Sequence, residues 1–383
     1  MKGRLRTKLR RIVAVARKEQ LHLVRDPRSL IMGIAIPMLM LFLFGYALNL
    51  DIEHARLVVW DQSNTADSRE FVARFAASRY FSLVDRSNSY REIEQAIDSR
   101  RAIMALVLPQ DFSRSLKAHG RVDVQAILDG SDANTATIVL AYAEAVARTY
   151  SAEVAISRLM RSGRSPSAQP VELRPRVWFN TDLISRYYIF PGLIAVIMMV
   201  IAALLTSLTV AREWENGTME QLIATPLTAG EIITGKLIPY FAIGVIDLIL
   251  CVLVGYYTFG VPFRGSLLLL FALSLVFLLG ALALGILISI VAKNQLLSSQ
   301  FALVATMLPA FLLSGFIFPI DNMPRPIQVV TNVITARHFV HILRGIYLKD
   351  SGIHEVALQA VILALFGAAV LAIAVKKFRK KID

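Results

Sequence analysis

Few residues of this 383-residue chain have the type and spacing that chemistry requires. The segment Gly230–Lys236 fits a phosphate-binding loop until its last position, where Leu237 replaces the Ser or Thr that would hold magnesium. No strand is predicted before it, so we expect no nucleotide site there. His338 and His341, with His354 further on, lack a third ligand at a defined spacing, and a solvated helix face explains them better than a metal site. We therefore expect no catalytic residue, no metal and no bound cofactor in this chain.

Asp247 is the one acid in the middle of a long apolar segment. A charge at that depth costs roughly 2.5–3.5 kcal/mol on insertion scales, so such a residue usually faces a bundle interior or an aqueous path. No Lys or Arg lies at matching depth, which leaves a proton or the hydroxyls of Thr206, Ser207 and Thr209 as candidate partners. A transport path that includes Asp247, Thr206 and Thr209 and a purely structural role for the acid are both compatible with the sequence.

Six apolar segments, each of 20 to 26 residues, carry or flank these side chains. A helix that rises about 1.5 Å per residue needs roughly 20 residues to cross the hydrocarbon core. The sequence therefore predicts an α-helical polytopic membrane protein with six transmembrane helices, the first at 29–50 and the other five within 186–383. The segments are Ser29–Leu50, Tyr187–Val210, Leu237–Phe259, Ser266–Val291, Ser299–Ile320 and Val356–Val375.

Basic residues at both ends predict the orientation. Residues 1–28 contain ten Lys or Arg against two acids, and five more bases lie in 376–381. An even number of spans places both termini on one side, and the positive-inside bias makes that side the cytoplasm. The net charge of +13 is explained by anionic lipid headgroups, and no nucleic-acid partner is expected because the basic terminus lacks interleaved aromatic residues. Apolar residues at helical spacing in 1–28 predict an amphipathic entry helix along the inner leaflet.

Residues 51–185 separate the first apolar segment from the second, and the same orientation places them outside the cytoplasm. The predicted strands are Arg56–Trp60, Tyr80–Val84, Ala102–Leu108 and Val122–Leu128, and the predicted helices are Ser68–Ala77, Tyr90–Ser99, Asp111–Lys117 and Thr135–Leu159. This alternation predicts an extracytoplasmic α/β domain inserted between transmembrane helices 1 and 2. A second outer segment, 321–355, is too polar to span and is predicted to form short helices at the outer leaflet.

The inner loop Ala211–Gly235 has the most specific local pattern. Thr218–Gln221 reads as a capping box that starts a short helix, which Pro226 ends. A second capping box, Thr228–Glu231, starts the helix that continues into the third span. An acidic surface at an otherwise basic face suggests a protein partner, although an ordinary well-capped loop is an equal alternative on composition alone. The acids are Glu213, Glu215, Glu220 and Glu231.

The segment Arg212–Leu227 resembles the signature loop of the ABC-2 type permeases, the membrane subunits of bacterial ATP-driven exporters. The resemblance extends through nearly the whole chain, including Arg25–Arg28, Leu313–Pro319 and Leu343–Asp350. The most similar subgroup is the drug-efflux type with a large periplasmic domain. The resemblance implies the ABC-2, or type V, exporter fold and a location in the bacterial inner membrane, crossed several times.

The resemblance also implies that 212–235 contains a coupling helix, which contacts a groove on a separate ABC ATPase. The implied contact residues are Glu213, Glu215, Gly217, Thr218, Glu220 and Leu222. Such systems pair two permeases, identical or different, with two ATPases that bind the ATP and Mg²⁺. The implied function is export of drugs or other amphipathic compounds from the cytoplasm or inner leaflet, with a periplasmic adaptor and outer-membrane channel as further partners.

Several alternatives to drug export remain open on the sequence. The cargo of the exporter could equally be a lipid, a polysaccharide precursor or sodium. A membrane receptor or scaffold with a ligand-sensing outer domain is the alternative from another class. A secondary transporter fits less well, because such proteins carry several intramembrane ionisable residues and an internal repeat.

Overall fold

The computed structural model describes residues 2–48, 52, 54–119, 122–161, 179 and 184–378. Contacts divide the chain into two compact units, one formed by Met1–Leu50 with Val177–Asp383 and the other by Asp51–Arg176. Leu50 and Asp51, at the predicted boundary between first span and outer domain, lie outside the described residues, as do the terminal bases at 379–381.

Every secondary-structure element described in the first unit is a helix. Its α-helices are α1 (Lys2–Arg25), α2 (Pro27–Leu30) and α3 (Ile36–Ala47), and, after the second unit, α8 (Ser185–Glu215), α9 (Met219–Ala224), α10 (Ala229–Tyr257), α11 (Leu267–Ala292), α12 (Gln295–Leu312), α13 (Arg325–Thr331), α14 (Thr335–Arg344) and α15 (Ile353–Lys377). Two π-helical segments, Ile31–Ala35 and Gly345–Lys349, and a 3₁₀ turn at Ile320–Asn322 connect them.

The second unit alternates strands and helices. Its elements are β1 (Ala55–Asp61), α4 (Ala66–Ala77), β2 (Phe81–Arg86), α5 (Tyr90–Asp98), β3 (Met104–Leu108), α6 (Phe112–His119), β4 (Gln125–Leu128) and α7 (Ala133–Arg161). All eight predicted elements are confirmed, with ends that differ by no more than three residues. The strand order is β2-β1-β3-β4, in which β1 is parallel to β2 and β3, and β4 is antiparallel to β3.

Both faces of this sheet are covered. Leu57 and Val59 of β1 face one core with Phe71 and Phe75 of α4, whereas Val58 faces a second core that includes Ile93 of α5. Successive side chains of a strand point to opposite faces, so a strand buried on both faces is apolar at nearly every position, as β1 and β3 are. The α/β unit therefore has its own hydrophobic core.

Five described helices are long and apolar enough to cross a membrane: α8, α10, α11, α12 and α15. The first predicted span, 29–50, instead contains the shorter apolar stretch Ile31–Ala47, in which a π-helical segment precedes α3. Its buried residues, Gly33, Pro37, Leu41 and Gly45, recur every four positions. The predicted span 299–320 ends as a helix at Leu312, where Gly315 at φ 80° redirects the chain.

Helix α8 lies at the centre of the helical unit, and nearly all of its apolar part is buried. A helix that is apolar all round must be surrounded by other helices. Close contact with α11 depends on Gly285, because a Cβ there would overlap Thr206 Oγ1 and the Ala203 carbonyl. Thr206 Oγ1 donates to the Leu282 carbonyl of α11 at 2.9 Å. The missing side chain at Gly285 thus positions α8, whose end carries the inner loop.

Candidate functional site

The inner loop is a short helix between two long ones. Helix α8 continues beyond its apolar part to Glu215, and Gly217, at φ 69°, reverses the chain before α9. Glycine adopts such a φ at no steric cost, so this position favours it. Helix α9 spans six residues, and the extended Thr225 and Pro226 end it before α10 begins at Ala229.

The two predicted capping boxes have different outcomes. The box at Thr228–Glu231 is confirmed: the Glu231 carboxylate accepts from the Thr228 N–H at 2.8 Å, and Glu231 N donates to Thr228 Oγ1 at 3.3 Å. The box at Thr218–Gln221 is wrong. Thr218 has near-helical backbone angles, φ −82° and ψ −6°, which differ from the extended geometry typical of a capping residue. Its hydroxyl instead donates to Glu213 Oε2.

Glu213 belongs to an ion network of four side chains, of which Glu19, Glu213 and Lys236 are buried and Lys18 is exposed. Lys236 Nζ donates to Glu19 Oε1 at 2.6 Å and to Glu213 Oε1 at 3.3 Å, and Lys18 Nζ donates to Glu213 Oε1 at 2.6 Å. Lys236 is 1% exposed, Glu19 4% and Glu213 6%. Two ammonium groups against two carboxylates leave the network neutral, as burial of charge demands. It joins α1, α8 and α10.

Further contacts attach α1, and Asp26 directly after it, to the beginning of α10 and the end of α8. Arg11 lies 3.9 Å from Glu231, and Asp26 lies 3.2 Å from Arg212 at the end of α8. A Cβ at Gly235 would lie 2.6 Å from Val15 Cβ, so the two helices meet at backbone distance. The entry helix is therefore fastened to the helical bundle through one face, while its Leu9, Val13, Leu21 and Val24 remain exposed.

The six predicted contact residues divide into exposed and engaged groups. Gly217 and Glu220 are exposed, and so is Gln221 beside them. Glu215 is exposed as well, but its carboxylate accepts from Gln295 N at 2.9 Å at the start of α12. Glu213, Leu222 and the neighbouring Met219 are buried, and Thr218 is half-buried. The loop thus has an exposed polar face, Gly217 with Glu220 and Gln221, above a buried root formed by Glu213, Thr218, Met219 and Leu222.

A polar cavity of about 120 Å³ lies beside this root. Lys18, Glu19 and Glu213 of the ion network line it together with Thr209 and Tyr240. Its volume and its polar lining suit a few water molecules. Within the described residues, no group of three or more His, Cys, Asp or Glu side chains is placed to hold a metal ion.

Asp247 does not have the partners that were expected from the sequence. Thr206 Oγ1 donates to the Ala202 and Leu282 carbonyls, Thr209 Oγ1 to the Thr206 carbonyl at 2.8 Å, and Ser207 Oγ to the Leu204 carbonyl. The hydroxyl partnership is therefore wrong. Asp247 is 3% exposed, and its Oδ1 has no hydrogen-bond partner among the described residues.

The three residues of the predicted transport path do not share one cavity. Asp247 lines a small apolar void between α8, α10 and α11, with Ala202, Gly244 and Leu278 among its neighbours. Thr209 lines the polar cavity instead. Asp247 does face the bundle interior, as the cost of an intramembrane charge requires.

Sequence reasoning missed Lys18, Glu19 and Lys236. One signal was present: Glu19 lies four residues from both Val15 and Leu23, and all three are buried on the same face of α1. An acid within an otherwise apolar stripe indicates a buried partner. Lys236 gave a similar signal, since it directly precedes an apolar segment.

Known proteins and a family model match this chain over nearly its whole length. A family model described as ABC-2 family transporter protein matches residues 27–376. The probable multidrug ABC transporter permease YbhS of Escherichia coli (strain K12) is 38% identical over 378 residues, which cover 98% of each chain. The probable multidrug ABC transporter permease YbhR of the same organism is 32% identical over 97% of this chain and 99% of its own length. The linearmycin resistance permease protein LnrN of Bacillus subtilis (strain 168) is 22% identical over 97% of this chain and its full length.

Proposed function

Because the chain belongs to the ABC-2 family of transporter proteins, we propose that it is the membrane subunit of an exporter driven by a separate ABC ATPase. The chain is a multi-pass membrane permease. ATP and Mg²⁺ would be bound and used by the partner subunit, and this chain would not itself be an enzyme. The nucleotide-like pattern at Gly230–Lys236 lies within the first two turns of α10, without a preceding strand, and so does not offer a phosphate-binding loop.

The proposed topology has six spans in a bacterial inner membrane. The first is the helical stretch from Pro27 to Ala47, whose 21 residues rise about 31 Å at 1.5 Å per residue. The other five are α8, α10, α11, α12 and α15. The basic residues of α1 and the end of α15 would then both lie in the cytoplasm, and the α/β unit, with segment 321–355, outside it.

The inner loop is proposed as the surface that contacts the ATPase. The observation that carries this is the exposed polar face of the loop above its buried root. An exposed, rigidly held helix is suited to a groove, because little conformational freedom is lost on binding. Of the six predicted contact residues, Gly217, Glu220 and Glu215 would touch the partner directly. Glu213, Thr218 and Leu222 would hold α9 in place.

The ion network of Lys18, Glu19, Glu213 and Lys236 is proposed to transmit the movement. Thr218 and Glu213 connect the start of α9 to α8, and Lys236 connects them to α10 and α1. Closure of two ATPases would press on α9, and the network would carry α1, α8 and α10 with it. Alternating access then follows between two permeases, identical or different, with the cargo path between them.

The proposed cargo is a drug or another amphipathic compound, taken from the cytoplasm or the inner leaflet. The names of the relatives, multidrug permeases and a linearmycin resistance permease, support this class. Lipid, polysaccharide precursor and sodium export are alternative cargoes for the same architecture. A periplasmic adaptor and an outer-membrane channel are further proposed partners, which the α/β unit would contact.

The experiment is copurification of the tagged permease with its coexpressed ABC ATPase. Glu220→Lys reverses a charge on the exposed face and should reduce the bound ATPase at least tenfold. Glu94→Lys makes the same charge change at an exposed position of the α/β unit and should leave it unchanged. Equal amounts of ATPase with wild type and with Glu220→Lys would refute the contact. Reconstitution with the ATPase in liposomes then identifies the cargo by the compounds that stimulate ATP turnover.

A further inference from the structure

A cavity of about 920 Å³ opens beside α14, in the part of the helical unit remote from the inner loop. Five separate parts of the chain form its wall. They are represented by Tyr188 of α8, Gly315 after α12, His341 of α14, Lys349 of the following π-helical segment, and Gln359 of α15. The volume is within the range of sites that hold drug-sized ligands. We call it the α14 pocket.

One part of the α14 pocket is strongly basic. His341 lies in the field of Lys349, His338, Arg337 and Arg344. Partial burial of the ring lowers the pKa of His341, and these four bases lower it further. The carboxylates that line the cavity elsewhere, Asp321 and Glu355, are exposed.

Two of these bases are held in place by other contacts. Arg344 donates to the carbonyls of Tyr188, Gly315 and Phe316 at 3.2, 2.9 and 3.0 Å, and its guanidinium lies 3.5 Å from the Tyr188 ring centroid. Burial lowers its pKa to about 10, so it remains charged at neutral pH. Arg337 donates to the Gln328 carbonyl at 3.2 Å. The two arginines therefore supply fixed positive charge without a carboxylate partner among the described residues.

The other two groups are available to a ligand. His341 and Lys349 are exposed, and within the described ranges neither side chain makes a hydrogen bond or ion pair. Lys349 Nζ has only the ring of Phe179, at 5.9 Å from its centroid. A free ammonium and a free imidazole beside two fixed guanidinium groups form a site for an anion.

The wall formed by α15 is mixed: Val356, Leu358 and Ile362 supply apolar surface, and Glu355 and Gln359 supply polar groups. Leu358 and Ile362 are four residues apart and so lie on one face of the helix. Leu358 is 68% exposed in a helix that is a membrane-span candidate. Gln359 lies between them in the sequence, and its buried Oε1 has no hydrogen-bond partner among the described residues. A ligand with an apolar chain would pack against Leu358 and Ile362, and a donor group on it could bond Gln359 Oε1.

We propose that the α14 pocket binds an amphipathic molecule with an anionic head, placing the head at His341 and Lys349 and the apolar chain along Leu358 and Ile362. Binding requires neither the ATPase nor transport. The same chemistry is offered by an anionic phospholipid of the bilayer and by a single-chain anionic amphiphile that the permease exports. If the copurification experiment refutes the ATPase contact, the proposal for the α14 pocket still stands.

The test is native mass spectrometry of the full chain in non-ionic detergent, titrated with dimyristoyl phosphatidylglycerol. Lys349→Gln should weaken binding about tenfold, the effect of losing one hydrogen bond to a charged group. Arg264→Gln removes an exposed positive charge from the turn before α11, outside the pocket, and should leave the affinity within twofold of wild type. Lys349→Arg keeps the charge and should retain binding. His341→Gln tests the site independently if Lys349→Gln does not fold.

Competing ligands distinguish the two sources of the head group. If dodecyl phosphate displaces the lipid and loses affinity in Lys349→Gln, the pocket accepts single-chain amphiphiles. If only phosphatidylglycerol responds to the variant, the occupant is a bilayer lipid. The proposal is overturned if Lys349→Gln and Arg264→Gln weaken binding equally. It is also overturned if inorganic phosphate displaces the lipid as well as dodecyl phosphate does, or if dimyristoyl phosphatidylcholine binds with equal affinity and the same response to Lys349→Gln.

Discussion

Lys236 and Glu19 form a buried ion pair, with 2.6 Å between Nζ and Oε1, that joins α10 to α1. Lys236 also reaches Glu213 at 3.3 Å, so its ammonium group contacts two carboxylates from different helices. Buried charges need such compensation, because removal of one partner leaves the other desolvated and unpaired. The pair therefore makes α1 part of the bundle.

Lys236→Met is expected to destabilise the protein by about 3–5 kcal/mol, since Glu19 and Glu213 lose their shared counterion. The measurement is thermal unfolding of the detergent-purified protein. Adding Glu19→Gln to Lys236→Met should recover part of the loss, because Lys18 still neutralises Glu213. A double variant that is no more stable than Lys236→Met alone would show that the pair contributes little.

Gly285→Ala is expected to force α8 and α11 apart, because its methyl group would overlap Thr206 and the backbone of Ala203. Overpacking of this kind costs about 1–3 kcal/mol, and backbone that cannot yield raises the cost. The matched control is Gly230→Ala, where a Cβ meets nothing within 4 Å and alanine favours the helix. Melting temperatures should fall for the first and hold or rise for the second. Equal melting temperatures would argue against close packing of α8 and α11 at Gly285.

Thr228→Ala should loosen the first turn of α10, because the Glu231 N–H loses its acceptor and the capping box is broken. Loss of such a cap costs about 1 kcal/mol. Hydrogen exchange of the amides at 229–232 should accelerate by roughly fivefold, the equivalent of that energy. Thr234→Ala, at an exposed position one turn later, is the control and should leave these rates unchanged.

Binding of phosphatidylglycerol in the α14 pocket should strengthen as pH falls from 7.5 to 5.5. Burial and four neighbouring bases lower the pKa of His341, so its imidazole is neutral at pH 7.5 and gains a proton only below its ordinary range. An anionic head favours the charged form, so binding raises that pKa and takes up a proton. His341→Gln should remove most of the pH dependence, whereas Arg264→Gln should retain it. A pH profile unchanged in His341→Gln would exclude His341 as the sensor.

Local patterns predicted the elements of this protein well. Short runs of apolar, β-type residues were sufficient to predict β1 and β3, because in such a run neighbouring side chains alone supply two buried faces. The capping box at Thr228 was also predictable, because its two partners, Thr228 and Glu231, lie only three residues apart. The box at Thr218 has the same residue pattern, yet Glu213 competes for its hydroxyl, and that acid approaches only because Gly217 reverses the chain.

Long-range pairing could not be predicted from the sequence. Glu19 and Lys236 are 217 positions apart, and Lys18 and Glu213 are 195 apart, so no periodicity connects them. For the same reason the loop acids were treated as one acidic surface, although Glu213 faces inward and Glu220 outward. The expected hydroxyl partners of Asp247 failed because Thr206, Ser207 and Thr209 each donate to a backbone carbonyl, a choice that their residue types do not determine.

The π-helical segment Ile31–Ala35 determines which residues of the first apolar helix face the other helices. Its inward residues Gly33, Pro37, Leu41 and Gly45 repeat every four positions, whereas an α-helix turns about 100° per residue and would rotate such a row by about 40° at each repeat. The wider π turn absorbs some of that rotation, which keeps Gly33 against Ile243 and Gly45 against Phe259. Deleting a single residue between 31 and 35 would therefore rotate everything upstream by about a quarter turn relative to α3, and would move the buried Ser29 away from the face that Pro37, Leu41 and Gly45 share.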